Sequence, residues 1–136
     1  MTETAARHAL TALSDDEAAF RDAVAEFANA EVRPRAMAMD RAAKLDADLI
    51  PKLFDLGLMG IEVPERLGGA GGSLAMVVIA VEEISRVDAS VAIMADVQNT
   101  LVIHPILKYG TDAQHSRYLA RLCADTVGAY ALSEPG

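Results

Sequence analysis

The sequence predicts an all-α fold, an up-and-down bundle of about six helices followed by a single C-terminal strand. Apolar residues recur at helical spacing through most of the 136 residues, and capping patterns precede several of these segments. About half of the residues (52%) are apolar, yet only 4% are aromatic and tryptophan is absent. A core built from Leu, Ile, Val, Met and Ala favours packed helices over a β-sandwich.

The first helical region follows a loose, polar N-terminal arm, residues 1–13. Ser14 and Glu17 form a capping box, in which the hydroxyl and the carboxylate each bind an amide at the helix start. The helix is expected to break near Pro34, and a shorter helix is expected from there to about Lys44. The buried face of the first helix, which precedes Pro34, consists of Phe20, Val24, Phe27 and Val32.

A third helix is predicted to begin at Asp46 or Asp48 and to end at Gly57. Its buried stripe consists of Leu49, Leu53 and Leu56. The apolar residues 58–64 are expected to be extended, and the glycine-rich residues 68–72 exclude a long helix.

Two strongly apolar helices follow. Ser73 caps the first, which is expected to be deeply buried with Leu74, Val77, Val78 and Val81 on one side and Ile79 and Ile84 on another. The second runs from near Asp88 to Tyr109 and is expected to bend at Pro105. Polar residues, among them Asp96, Gln98, Asn99 and His104, interrupt its apolar sequence, which favours a buried helix of a soluble protein over a membrane span. Asp96, Gln98 and Asn99 are interpreted as satisfied polar groups at helix contacts and not as catalytic residues.

The last helix has the same kind of pattern as the earlier helices, but the end of the chain does not. Thr111 and Gln114 form a second capping box, and the helix behind it has Arg117 and Arg121 outside. Its inner face consists of Tyr118, Leu119 and Leu122. Residues 128–133 resemble a strand. A lone strand has nothing to pair with, so the sequence predicts a chain truncated where a β-domain begins.

Composition limits the partners and the location. A net charge of −8 disfavours nucleic acid, although a local basic patch could still hold a nucleotide cofactor. Cys123, the single cysteine, cannot form an internal disulfide, and residues 1–7 lack the apolar stretch that is typical of a secretory signal. We expect a cytoplasmic protein, or a mitochondrial matrix protein whose targeting peptide has been removed. The scattered His8, His104 and His115 indicate no metal site.

Four segments, in order, carry a family resemblance. They are residues 56–71 with Pro64-Glu65 and the glycine loop, residues 82–90 (EEISRVDAS), residues 110–119 (GTDAQ with Tyr118-Leu119 after it), and residues 130–136 (YALSEPG). Together they resemble the N-terminal domain of the acyl-CoA dehydrogenase family, over nearly the whole chain from Leu13 onward. Residues 87–92 and 98–101 are most similar to the short/branched-chain members.

The resemblance implies a three-domain, FAD-dependent oxidoreductase of fatty acid or branched-chain amino acid catabolism. It implies residues 14–126 as the N-terminal helical domain and residues 127–136 as the first strand of a middle β-domain. Such enzymes convert an acyl-CoA to the trans-2-enoyl-CoA: a glutamate takes the α-proton and hydride passes to the flavin. That glutamate lies in the C-terminal domain, so no catalytic residue is assigned here, and the isolated chain is expected to be inactive and to retain FAD weakly or not at all. An electron-transfer acceptor and a homo-oligomer are also implied.

Two groups of site residues follow from the resemblance. Tyr130, Leu132 and Ser133 would contact FAD; the alternative is an ordinary strand end and turn. The acyl-contact residues would be Ile93, Met94, Val97 and Leu101, whose bulk favours short or branched acyl groups. The alternative for these four is plain core packing. The glycine loop at 68–72 lacks phosphate-loop spacing and is interpreted as a structural turn.

Two other functions stay open. The chain could be a non-catalytic helical module that binds a partner subunit through exposed apolar surface. It could also belong to a related flavoprotein of the same fold, such as an acyl-CoA oxidase.

Overall fold

The computed structural model describes residues 12–133, and it confirms the all-α prediction. Five continuous helices lie in this range: α1 (residues 15–42), α2 (Leu49–Asp55), α3 (Leu74–Ser85), α4 (Ala89–Tyr109) and α5 (Asp112–Ala124). A 3-10 turn, Glu65–Leu67, precedes the glycine loop. The predicted N-terminal arm lies almost entirely outside the described residues.

The capping predictions for Ser14, Ser73 and Thr111 are confirmed, whereas Asp48, at the N-cap of α2, makes no capping hydrogen bond through its side chain. The Ser14 hydroxyl accepts from the Glu17 amide at 3.2 Å, and the Glu17 carboxylate accepts from the Ser14 amide at 2.8 Å. Thr111 and Gln114 form the same reciprocal pair at the start of α5. Ser73 caps α3. These local hydrogen bonds satisfy amides that have no partner within their helix.

The predicted break near Pro34 is wrong, and this explains why there are five helices in residues 12–133 and not six. Helix α1 continues through a π-helical turn, Ala28–Val32, into the α-helical segment Arg33–Ala42. Pro34 occupies the first turn of that segment, where a missing amide donor costs little. The helix ends at Ala43, whose φ of 47° is left-handed.

Helix α2 is shorter than its apolar stripe suggested. Leu49 and Leu53 are fully buried as predicted, but Leu56 is exposed. The helix ends at Asp55 and the chain reverses at Gly57, whose φ is 72°. Phe54, which the sequence did not assign to the stripe, is buried.

A first apolar core joins α1, α2, α3 and the first half of α4. Its large fully buried side chains include Val24, Val32, Leu49, Leu53, Leu58, Met59, Ile61 and Ile84. The prediction that α3 is deeply buried is wrong for Leu74 and Val78, which are 54% and 59% exposed. Ile79 and Ile84 are buried as predicted, and Val77, Ala80 and Ile84 belong to the first core.

A second, smaller core joins the end of α4 to α5. Its buried members are Val63, Ile103, Leu119, Leu122 and Cys123. Leu119 and Leu122 are inside as predicted. Tyr118 is exposed, so its predicted inner position is wrong.

Helix α4 contributes residues to both cores. Its middle forms a π-helical turn, Val97–Ile103, before Pro105. By length and composition alone, α4 is the one helix among residues 12–133 that could cross a membrane. A third of its most apolar stretch is buried inside the protein. A core helix of a soluble domain passes the same test.

The strand predicted at residues 128–133 is not formed. Residues 126–133 adopt no regular secondary structure, and no strand lies anywhere within 12–133. A strand needs a hydrogen-bonding partner, and no other extended segment of the described chain supplies one.

Replacing Asn99 by alanine is expected to lower the free energy of unfolding by about 2–4 kcal/mol, because three buried hydrogen bonds are lost. Asn99 Nδ2 donates to the carbonyls of Leu58 and Ala95, both at 2.8 Å, and its Oδ1 accepts from the Ile61 amide at 2.9 Å. Urea denaturation measures the change. The exposed Asn29 is the control, and Asn29→Ala should cost less than about 1 kcal/mol. An equal decrease in the free energy of unfolding in the two variants would contradict the structural role of the Asn99 hydrogen bonds.

Cys123 is expected to alkylate slowly. Burial raises the pKa of its thiol to about 11 from the ordinary 9.0, which reduces the reactive thiolate near neutral pH about 100-fold. The rate with iodoacetamide should therefore keep rising until about pH 11 in the folded chain. The same chain in concentrated urea is the control. A folded-state rate that levels off near the ordinary pKa would contradict this prediction.

Candidate functional site

The predicted acyl-contact residues fall into two groups on α4. Ile93, Val97 and Leu101 follow one another at intervals of four; Ile93 and Leu101 are 59% and 40% exposed, and Val97 is half-buried. This spacing puts them along one side of the helix, and we call these three residues the open face. Met94 is half-buried and packs against the first core. The structure therefore brings together three of the four residues.

The predicted flavin-contact residues lie in the irregular segment after α5. Tyr130, Leu132 and Ser133 are all exposed. Within the described residues, no hydrogen bond uses the backbone groups of 129–133. The last anchored position before Tyr130 is Gly128, whose amide donates to the Gln98 side chain at 2.8 Å.

The two groups are connected through the π-helical turn of α4. Gln98 and Asn99 are adjacent and nearly inaccessible, yet they bind different parts of the chain. Asn99 binds the turn at residues 58–61, and Gln98 binds residues 122–128. A π-helical turn is wider than an α-helical one and is frequent at functional sites. Here two neighbouring amides secure two irregular segments to one helix.

The sequence interpretation of these polar residues is correct but incomplete. It identified Gln98 and Asn99 as satisfied polar groups at helix contacts, and no buried side-chain polar atom of the described residues lacks a partner. Apart from Ala95, one turn before Asn99, their partners lie 24–41 residues away, and the sequence did not identify them. The sequence does not show that Gly128 is a contact residue; the structure does, since a Cβ at that position would overlap Val102 Cγ1.

The glycine loop is a structural turn. Gly68 and Gly71 have φ of 92° and 68°, which favour glycine. Three successive amides are already used within the protein: those of Ala70, Gly71 and Gly72 donate to the carbonyls of Gly60, Val63 and Ile61 at 3.0, 2.9 and 2.7 Å. Amides engaged in this way are not available to a phosphate group.

Each of the two described histidines has a polar partner within the protein. His104 Nδ1 lies 3.3 Å from Glu62 Oε2, and His115 Nε2 lies 2.9 Å from the Ile106 carbonyl. Within residues 12–133, no cluster of three or more His, Cys, Asp or Glu has metal-binding geometry. His8 lies outside the described residues.

The described carboxylates near α4 also have partners. Arg86 on the C-terminal cap of α3 bonds Glu82 at 2.9 Å and Glu83 at 3.1 Å. Glu83 is buried and Glu82 is exposed. Both carboxylates are therefore ion-paired on α3, where they stabilise the end of this helix.

Comparison with known proteins agrees with the resemblance seen in the sequence. Residues 14–126 match the family described as acyl-CoA dehydrogenase, N-terminal domain. A probable short/branched chain specific acyl-CoA dehydrogenase of Dictyostelium discoideum is 42% identical over 127 residues, which are 93% of this chain and 31% of that protein. The mitochondrial short/branched chain specific acyl-CoA dehydrogenase of Bos taurus is 40% identical and covers 93% of this chain and 29% of its own length.

A solved structure supports the same assignment. Butyryl-CoA dehydrogenase from Megasphaera elsdenii superposes with a TM-score of 0.85 at 32% identity, over 91% of this chain and 33% of that one. The chain thus spans about a third of the length of the relatives it matches. The extent of the family match, most of the described helical domain, shows that the chain belongs to the acyl-CoA dehydrogenase family.

Proposed function

We propose that this domain is the N-terminal part of an FAD-dependent acyl-CoA dehydrogenase that oxidises a short or branched acyl-CoA to the trans-2-enoyl-CoA. The observation that carries the proposal is the arrangement on α4. Its π-helical turn presents two open-face residues, Val97 and Leu101, and also anchors the segment that leads to Tyr130, Leu132 and Ser133.

The open face suits an acyl chain. Ile93, Val97 and Leu101 are apolar and accessible, so they would cover one side of a short hydrocarbon chain and exclude water from it. Their bulk leaves less space than a long chain needs. Met94 would support this wall from the core side.

Residues 129–133 fit the edge of a flavin ring. They are exposed, and their backbone groups have no hydrogen-bond partner within the described residues. The Ser133 hydroxyl and these backbone groups would hold the ring, while Tyr130 and Leu132 would contact its apolar surface. FAD supplies the hydride acceptor of the reaction when it is bound.

Proton removal is assigned to a residue outside this domain. Glu82 and Glu83 are paired with Arg86, so neither is a suitable base for an α-proton. The catalytic glutamate implied by the family lies in the C-terminal domain. An electron-transfer acceptor, homo-oligomerisation and a cytoplasmic or mitochondrial matrix location remain predictions from the sequence.

A partner-binding module is the second candidate function. Leu74 and Val78 of α3 are exposed and are not part of the open face. Apolar side chains in such positions suit contact with another domain or subunit. This role needs no flavin, so flavin chemistry distinguishes the two candidates.

A chimera in which residues 1–136 replace the matching third of the Megasphaera elsdenii butyryl-CoA dehydrogenase, called the joined protein below, should bind FAD and be yellow. Butyryl-CoA should bleach it in the absence of oxygen, because it reduces the bound flavin. The acyl wall and the flavin-contact segment would then come from this domain. Visible absorbance measures both binding and reduction. The chain alone, mixed with FAD, is the control and should retain little or none. A joined protein that binds FAD but is not reduced by any short or branched acyl-CoA would contradict the proposal.

Leu101→Ala in the joined protein is expected to raise kcat/KM for octanoyl-CoA relative to butyryl-CoA by roughly tenfold, because removing a few methyl groups from an apolar wall makes room for a longer chain. Steady-state kinetics with both substrates measures the ratio. Leu74→Ala, the same substitution at an exposed position on α3, is the control and should leave the ratio unchanged. An unchanged ratio in Leu101→Ala would remove Leu101 from the acyl wall.

A further inference from the structure

Gln98 makes three hydrogen bonds from a buried position. Its side chain is only 1% exposed. Nε2 donates to the carbonyls of Leu122, at 2.7 Å, and Thr126, at 3.0 Å. Oε1 accepts from the Gly128 amide at 2.8 Å. One side chain therefore binds the last turn of α5 and two positions of the segment that follows it.

Val102 provides a second contact for the same segment. A Cβ at Gly128 would overlap Val102 Cγ1, so the backbone at Gly128 lies directly against this side chain. Gln98 and Val102 are four residues apart on α4. The segment is thus fixed by two hydrogen bonds with Gln98 and by van der Waals contact with Val102, both on the π-helical turn.

The same turn contains residues of the open face. Val97 precedes Gln98 and Leu101 precedes Val102. In each of these two adjacent pairs, the first residue belongs to the open face and the second contacts the segment that follows α5. The distance between the open face and residues 129–133 depends on these two anchors.

We propose that Gln98 is a positioning residue that holds residues 126–128, and through them the flavin-contact residues, at a fixed distance from the acyl wall. The proposal rests on the proposed function for the roles of the two surfaces. Its structural part, the anchoring of Gly128 by Gln98, stands on the contacts themselves. Hydride transfer requires close approach and alignment of donor and acceptor, so a small displacement of the segment would slow it.

Only a primary amide of this length satisfies all three partners. Two carbonyls require donors and one amide requires an acceptor, and the glutamine side chain supplies both. Methionine has a similar shape but makes none of the three bonds. Glutamate keeps the acceptor for Gly128 but places an oxygen against two carbonyls, which disfavours its charged form.

Hydrogen exchange of the Gly128 amide in the 136-residue chain tests the anchor without any flavin. Gln98→Met should speed exchange at this amide about tenfold or more, with little change at the core amides of α4 near Val91. Gln114→Met, the same substitution at the exposed capping box of α5, is the control and should leave Gly128 protected. Unchanged exchange at Gly128 in Gln98→Met would overturn the proposal.

Flavin reduction in the joined protein tests the positioning role. Gln98→Met should slow the reduction rate per bound flavin by butyryl-CoA about tenfold or more, while the apparent affinity for butyryl-CoA changes less than threefold. A purely structural role predicts less bound FAD at an unchanged rate per bound flavin, and that result would overturn the proposal. If the parent joined protein is not reduced at all, the proposed function fails, and the exchange experiment still decides the anchor.

Gln98→Glu keeps the test decisive if the methionine variant does not fold. Its reduction rate, relative to the parent protein at the same pH, should rise as the pH falls from about 8 to about 5.5, because the protonated carboxyl can donate to one of the two carbonyls. A relative rate that is independent of pH, or that falls with pH, would overturn the proposal.

Discussion

The structure depends on the satisfaction of backbone groups by two buried amide side chains. Residues 58–61 have no regular secondary structure, and residues 122–128 run from the last turn of α5 into an irregular segment. Helical hydrogen bonds therefore cannot satisfy all of the peptide groups in these two segments. Asn99 and Gln98 do so from adjacent positions on the π-helical turn. A buried peptide group without a partner costs about as much as a lost hydrogen bond, so these contacts determine where both segments can lie. Apolar side chains at the two positions would fill the space but would leave the segments without partners.

The same requirement connects the cores to the candidate site. Asn99 holds the turn whose Leu58, Met59 and Ile61 complete the first core. Gln98 holds the end of α5, whose Leu122 belongs to the second core. Two of the three open-face residues, Val97 and Leu101, are on the turn that carries Gln98 and Asn99, so this part of the open face is supported on two sides by packed structure. A binding surface built on a helix in this way is more rigid than one built on a loop.

Local signals in the sequence were sufficient for the helix starts but not for their environment. The capping boxes at Ser14 and Thr111 involve residues three apart, so the sequence contains the whole interaction. The break expected at Pro34 failed because a π-helical turn placed the proline where its missing donor costs little. Leu74, Val78 and Tyr118 were assigned to the interior because an apolar residue on a helix does not reveal whether a neighbour covers it. The strand at residues 128–133 required a partner that no local pattern can specify.

The candidate site shows the same division between local and distant information. The spacing of Ile93, Val97 and Leu101 placed them on one side of a helix, and their accessibility agrees with a role beyond core packing, whereas Met94 packs against the core. The partners of Gln98 could not be derived, because they lie 24–30 residues further along the chain and depend on a wider helical turn. This arrangement has a consequence for specificity within the domain. The anchoring side chains Gln98 and Asn99 lie between the open-face residues Val97 and Leu101 along α4 but contact different surroundings, so the size of Val97 or Leu101 can change without breaking the hydrogen bonds that hold the segments. The proposed acyl wall can therefore vary in shape while the framework behind it stays the same.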